Sequence, residues 1–379
     1  LLLDEGDPYS EVKLQKSIAN LKSRDIFKNV NYKILEGSAK DLKVMEIKVE
    51  EKPTGEVSAG AGVGTEGTSF TFTLKENNYF GKGISLDTSL RLSEHAIRGG
   101  VTISDPNYNF SGNEVYGGFT STKTDNADSG YENTVTNFNI GTKFEQYDDI
   151  YLTPSLSLSY DDLRVDDTAS SSLKKQAGDF SDVTIGYGIE RDKRDRSFMP
   201  TDGDVISFYQ SVPIYADQGS LYNAFYYSGY HTFSDDVIGA LKFYGAGVVG
   251  IDDDVRLSKR IHIPSNRLRG FERNKVGPKD GEDYVGGNYA TALNFEASLP
   301  NLLPEGTQTD VALFLDMGNL WHADYDGSVG QSSKLRSAIG FTTNMYTVVG
   351  PLSFVFAQDL SKASSDKTET FRFNLGTSF

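Results

Sequence analysis

From Gly55 onward the chain keeps one rhythm: segments in which apolar and polar residues alternate, separated by turns rich in Gly, Asn and Asp. Alternation puts successive side chains on opposite faces of a strand. The segments fall at about 55–64, 68–77, 83–92, 97–105, 113–124, 131–146, 150–163, 180–191, 204–214, 221–233, 239–250, 288–298, 310–318, 335–344, 351–358 and 369–379. That makes about sixteen strands, an even number. In the second, Phe70, Phe72 and Leu74 oppose Thr71, Thr73 and Lys75; in the seventh, Leu152, Leu156 and Leu158 oppose Thr153, Ser155, Ser157 and Ser159. Strands of roughly 9–11 residues span a bilayer when tilted, and sixteen of them enclose a water-filled interior. A soluble sandwich would seldom need so many. The pattern therefore predicts a membrane all-β fold, an antiparallel transmembrane β-barrel of about 16 strands.

Composition agrees. Only 37% of residues are hydrophobic and mean hydropathy is −0.41, yet there are 21 Tyr, 23 Phe and 38 Gly. No run approaches the ~20 apolar residues of a spanning helix, whereas a barrel needs an apolar residue only at every second strand position. The 12% of aromatic residues argues against disorder. A net charge of −16 argues against a nucleic-acid partner, which calls for a basic face. The acid gathers in runs such as Asp125 and Asp128, Asp161, Asp162, Asp166 and Asp167, and Asp252 to Asp254, which read as solvated loops. With no Cys, disulfides and thiolate metal sites are excluded.

Residues 1–52 follow another grammar. Ser10-Glu11 marks a helix start, with Val12, Leu14, Ile18 and Leu21 expected near one helical face. Val30, Tyr32 and Ile34, then Met45, Ile47 and Val49, alternate as two strands, and Leu1 to Leu3 is expected to end an earlier one. This is a small α+β module whose beginning is expected to lie in a longer precursor. Lys52-Pro53-Thr54-Gly55 separates it from the barrel, residues 53–379.

Two strands stand out. The first, from Gly55 to Gly64, carries Val57, Gly60, Gly62 and Gly64, and interior glycine weakens pairing. The last puts Phe371, Phe373, Leu375 and Phe379 on the lipid side and Arg372, Asn374, Gly376 and Ser378 in the lumen. If these two strands close the barrel, their seam is its weakest joint; close packing against another element is the alternative reason for the glycines.

Between about Gly250 and Asn288 runs a long segment, 251–287, without alternation. Loops beyond ~12–15 residues usually carry function. It contains Leu268-Arg269-Gly270-Phe271, Gly277-Pro278 and Gly286-Gly287-Asn288. Further on stand Glu296 and Pro300, Phe314-Leu315-Asp316-Met317-Gly318-Asn319-Leu320-Trp321, Gly350-Pro351-Leu352 and Phe373-Asn374-Leu375-Gly376, and earlier Phe198-Met199-Pro200-Thr201-Asp202-Gly203. On these residues the chain resembles the BamA family of outer-membrane barrel assembly factors, within a wider superfamily of protein insertases and secretion pores. Residues 1–52 resemble its membrane-proximal POTRA repeat, with Ile26-Phe27 and Val30 at the helix-to-strand corner. Leu268 replaces the family's usual Val, and Asp25 its usual corner Gly.

The resemblance implies an outer-membrane protein that inserts and folds barrel clients through a lateral gate between first and last strands, without ATP, its POTRA module in the periplasm. Unfolded outer-membrane protein clients, accessory assembly lipoproteins, periplasmic chaperones and outer-membrane lipid are the implied partners. Within the barrel it implies that the 251–287 loop enters the lumen and that Arg269 finds Glu296 and Asp316 on the wall, since an unpaired buried charge is costly. Glu296 shares its face with Asn294 and Ser298. Asp316 faces inward only if Phe314 does too. A cysteine pair at Ala61 and Gly376 is expected to lock the gate.

A polypeptide secretion pore or autotransporter translocation module of the same superfamily shares the Arg-Gly-Phe loop; a passive porin needs neither loop nor POTRA module. Enzymatic activity is not expected: His95, His231, His262 and His322 stand apart from any nucleophile pattern, and Gly60-Ala61-Gly62 opens no helix that would cradle a phosphate. No cofactor or metal is implied.

Overall fold

A computed structural model of the chain describes residues 1–24, 26–39, 41–304, 309–325, 329–347 and 350–376. Asp25, Ser378 and Phe379 lie outside them. Helix α1 (Glu11–Ser23) starts where Ser10 accepts a hydrogen bond from the Lys13 N–H. Leu14 and Ile18 bury against Leu3 and Val30, with Leu21, Phe27, Tyr32, Met45 and Ile47 around them. Val12, expected on this face, is 71% exposed. At ~100° per residue it lies about 200° from Leu14. Ser17 turns inward instead, donating to Lys13 O (2.8 Å). It also accepts from the Leu2 N–H (2.7 Å), so Leu1 to Leu3 is tied to the helix and forms no strand. Strands Phe27–Glu36 and Lys43–Glu51 pair antiparallel beneath the helix.

Sixteen antiparallel strands follow and close into a barrel, each paired with its sequence neighbours. Their described bounds match the alternating segments to within three residues, from the first strand, Gly55–Gly64, to the last, Phe371–Gly376; the end expected for the last segment, at 379, lies outside the described residues. Phe70 and Phe72 face outward (60% and 44% exposed), while Ser69, next to Phe70 on the same strand, is buried. On the first-strand side of the seam the first, third and fourth strands have 10 residues each and the second 13. Across the barrel, Tyr131–Tyr147 and Ile150–Val165 have 17 and 16. The wall on that side is thus lower than the wall opposite, three of its strands being close to the roughly 9–11 residues that span a bilayer.

Because the first strand leaves the N-terminal module, alternate turns return to that end. They are short and carry exposed apolar tips: Phe80, Phe110, Tyr147 and Leu302. In the turn leading to Gly203, Asp195 accepts from the Thr201 N–H and hydroxyl (2.9 and 2.7 Å) and the Asp202 N–H (3.1 Å). These donors, the Thr201 hydroxyl first, hold its carboxyl down at about 2. The opposite end is domed. Loops 251–288 and 322–335 share a small sheet of Lys279–Asp280, Asp283–Tyr284 and Val329–Gly330. Tyr131, Leu163, Leu173, Leu257, Val285 and Tyr325 form the apolar cluster beneath it.

Candidate functional site

The 251–287 segment descends into the barrel and returns. At its base the Ile261 and Gly287 backbones bridge in both directions (2.8 and 2.9 Å). The Asn288 N–H donates to His322 O (2.6 Å) and its side-chain amide to Asp324 (2.8 Å). Gly287 has no room for a side chain: a Cβ would lie 2.7 Å from Trp321 O.

At the tip, Arg269 donates from its backbone N and Nε to Asp316 Oδ2 (3.0 and 2.7 Å) and from Nη2 to Asp316 Oδ1 (2.7 Å). The same Nη2 lies 2.8 Å from Glu296 Oε1. Asp316 is completely buried. Its Oδ1 also accepts from Asn294 Nδ2, which donates as well to Arg267 O (both 2.8 Å). Lys242 from the neighbouring strand is the second cation on Glu296. Both wall carboxylates therefore converge on one guanidinium, with Asp316 in the fork-on-fork geometry that Arg alone offers. Phe314 does face inward, and the guanidinium carbon sits 3.7 Å from its ring centroid. An aromatic on the polar face thus serves as a cation–π floor.

The other motif residues shape the seat. Leu268 and Phe271 are buried in the lumenal apolar cluster with Val255, Ile263, Val276 and Leu320. Gly270 has φ +86°, and a Cβ there would stand 2.9 Å from that of Ala338 and 3.1 Å from that of Ala357. Glycine is required at the tip for both conformation and clearance.

Sequence reasoning missed three further buried arginines. Arg256 donates to Asp182 (2.6 Å), lies 3.3 Å from Asp161 and covers the Phe180 ring at 4.5 Å. Arg260 pairs with Asp324 (3.0 Å) over the Tyr325 ring at 4.6 Å. Arg336, on the wall, grips Asp366 through Nε and Nη2 (2.8 and 3.0 Å), both side chains fully buried. Asp161 is therefore no solvated loop residue, whereas Asp125, Asp128 and Asp252 to Asp254 are exposed as expected. Replacing Arg336 by Met strands the Asp366 carboxylate and is expected to cost about 3–5 kcal/mol. A lowered temperature of heat unfolding on gels checks it.

The seam joins the first and last strands through three residue pairs among the described residues: Asn374 with Gly64, Leu375 with Val63 and Gly376 with Gly62. The first strand pairs ten residues with its other neighbour. Val57 and Val63 point outward, while Gly60, Gly62 and Gly64 line the inside. Phe373 stacks on Phe371. Gly376 pairs with Gly62 rather than Ala61, so the Ala61–Gly376 cysteine pair is one residue out of register. Gly376 also has φ +84°, and a Cβ there would approach Gly62 Cα to 3.2 Å and Ala61 O more closely still. Gly376→Ala is therefore expected to loosen the seam by at least ~1–2 kcal/mol. Heat-modifiability of the barrel on gels checks this.

A family model described as the Omp85 superfamily domain matches residues 56–379. Over its full extent the chain is 26% identical to an outer membrane protein assembly factor BamA of Neorickettsia risticii (strain Illinois), covering 52% of that protein. It is 25% identical to the BamA of Neisseria meningitidis serogroup B, covering 99% of this chain and 53% of that one. The chain thus spans about half the length of the curated relatives it matches. Among solved structures, BamA from Haemophilus ducreyi lacking POTRA domains 1–3 superposes with a TM-score of 0.84 at 18% identity. That match covers 99% of this chain and 80% of the other. CdiB from Acinetobacter baumannii gives 0.59 at 15%, covering 99% and 70%.

Proposed function

This chain belongs to the Omp85 superfamily, in its BamA-type branch, and from that premise we propose that it inserts and folds β-barrel proteins in the outer membrane. The observation that carries the reading is the match of essentially the whole chain to two proteins named as outer membrane protein assembly factors. The mechanism is exchange at a sheet edge. Separating the first strand from the last exposes unpaired backbone, on which an incoming client strand forms by β-augmentation. In lipid an unsatisfied edge is expensive, so trading one edge partner for another is far easier than exposing a free edge. The seam, three pairs among the described residues, and the 10-residue strands on its first-strand side support this route. No nucleotide is needed, since each new ladder bond replaces one given up.

In this reading residues 1–52 are the membrane-proximal POTRA repeat in the periplasm, receiving unfolded clients from chaperones beside accessory lipoproteins. Arg269, Glu296 and Asp316 hold the lumenal loop in its seat. A secretion pore is the rival within the superfamily. A lumen filled by a loop fixed at Arg256, Arg260 and Arg269 favours work at the wall over passage through the middle.

The deciding experiment reconstitutes the full-length protein in proteoliposomes with an unfolded barrel client and a periplasmic chaperone. A protease-resistant, heat-modifiable client in the membrane is expected. Passage of a secreted substrate with barrels left unfolded would make it a secretion pore.

A further inference from the structure

Arg372 lies on the last strand, points into the lumen and is almost fully buried, yet it belongs to no site described above. Its Nε and Nη2 meet Glu369 Oε2 (2.8 and 2.7 Å). Nη2 also donates to the carbonyl of Phe271 (2.9 Å), and Nη1 to that of Ser265 (3.4 Å). Nη1 stands 3.1 Å from Glu66 Oε1. Phe271 and Ser265 are in the lumenal loop, whereas Glu66 is in the turn that leaves the first strand, across the seam. One guanidinium therefore touches the loop and both sides of the seam. Arg273 of the loop reaches the other oxygen of Glu66 at 3.7 Å.

The backbone repeats the connection. The Glu369 N–H donates to Gly270 O (3.0 Å), Glu272 N–H to Lys367 O and Lys367 N–H to Lys275 O (both 3.1 Å). The segment entering the last strand is thus stitched to the loop tip, while among the described residues the first strand meets the last through the three ladder pairs, the Thr65 N–H to Phe373 O bond (3.1 Å) and Glu66.

We propose that Arg372 and Glu66 form a latch that makes closure of the seam depend on the loop's seat in the lumen. A buried guanidinium must keep its donors occupied. The Ser265 and Phe271 carbonyls take its Nη1 and Nη2 protons and fix its plane, which keeps Nη1 within ion-pair distance of Glu66, 3.1 Å; when the loop leaves, those acceptors go and the guanidinium is free to swing away. Glu369 still neutralises the charge, so the last strand survives the release. The latch rests on the gate reading, for which it names the control, but its test needs no client.

With no native Cys, Val63→Cys with Leu375→Cys reports seam contact by the rate of disulfide formation in the full-length protein. Glu66→Gln keeps the shape and removes the charge. It should slow that rate by about fivefold, the equivalent of an ion pair of ~1 kcal/mol, with protease resistance of residues 251–287 unchanged. Arg269→Ala, which touches no seam residue, should slow it as well. Unchanged rates in both variants overturn the latch and leave the gate reading intact. Slowing in Glu66→Gln alone overturns the coupling to the loop. Slowing in both, with client folding unaffected, upholds the latch and removes the gate reading instead.

Discussion

Replacing Arg269 by Ala is expected to release the loop tip and to lower barrel stability by about 3–5 kcal/mol, the usual penalty for breaking a buried ion pair from one side. The loss exceeds the removed bonds. Asp316, with no exposure, keeps its charge against neutral donors alone, the Asn294 amide and the backbone N–H of residue 269, and Glu296 retains Lys242 alone. The Phe314 ring is left facing a void where the guanidinium lay at 3.7 Å. Lys at this position should recover only part, since an ammonium cannot occupy both Asp316 oxygens as Nε and Nη2 do. Asp316→Asn is expected to loosen the loop less than Arg269→Ala, because the amide oxygen still accepts and Glu296 still neutralises the arginine. Limited proteolysis within 251–287 and the heat-unfolding midpoint read all three. Wild-type resistance in Arg269→Ala would remove the pinning role.

How far the sequence discloses this site depends on which side of the pairing carries a pattern. The wall is legible because alternation assigns faces: Glu296 with Asn294 on the inside, Phe295 on the outside. The same rule tied Asp316 to an inward Phe314, and only the arginine over that ring explains why an aromatic belongs there. Asp161 was legible in principle. Leu156, Leu158 and Tyr160 face outward, and continuing that phase by one residue turns Asp161 inward toward Arg256. Its place in an acidic run hid it, since a charge run normally marks solvated chain. Arg372 and Glu66 were beyond reach for another reason. They come together only when strands over 300 residues apart close the ring, and no local pattern encodes which turn lies beside the last strand. Register was likewise hidden: alternation gives the face of Gly376, not its partner, and a one-residue slip is invisible until the ladder is formed.

The corrected register sets the sharpest test of the gate. Val63 and Leu375 are direct partners across the seam and both face outward. The Thr65 N–H to Phe373 O bond fixes the hydrogen-bonding phase. It makes Val63–Leu375 a hydrogen-bonded pair, with Cα atoms ~5.5 Å apart, inside the range a disulfide spans. The next pair, Gly64–Asn374, is narrower but unusable, because a Cβ on Gly64 would stand 2.5 Å from Phe373 O. With both positions changed to Cys and oxidised, client folding in proteoliposomes is expected to fall to the level of protein-free vesicles and to return on reduction. The bond denies the client the one edge it can template on without first breaking a full ladder. A cysteine pair at Val57 and Leu74, partners in the adjacent ten-pair ladder, receives the same chemistry one strand away and should leave folding intact. If the seam pair crosslinks completely and clients still fold at the normal rate, insertion does not pass between these strands. The glycines of the first strand would then serve close packing alone.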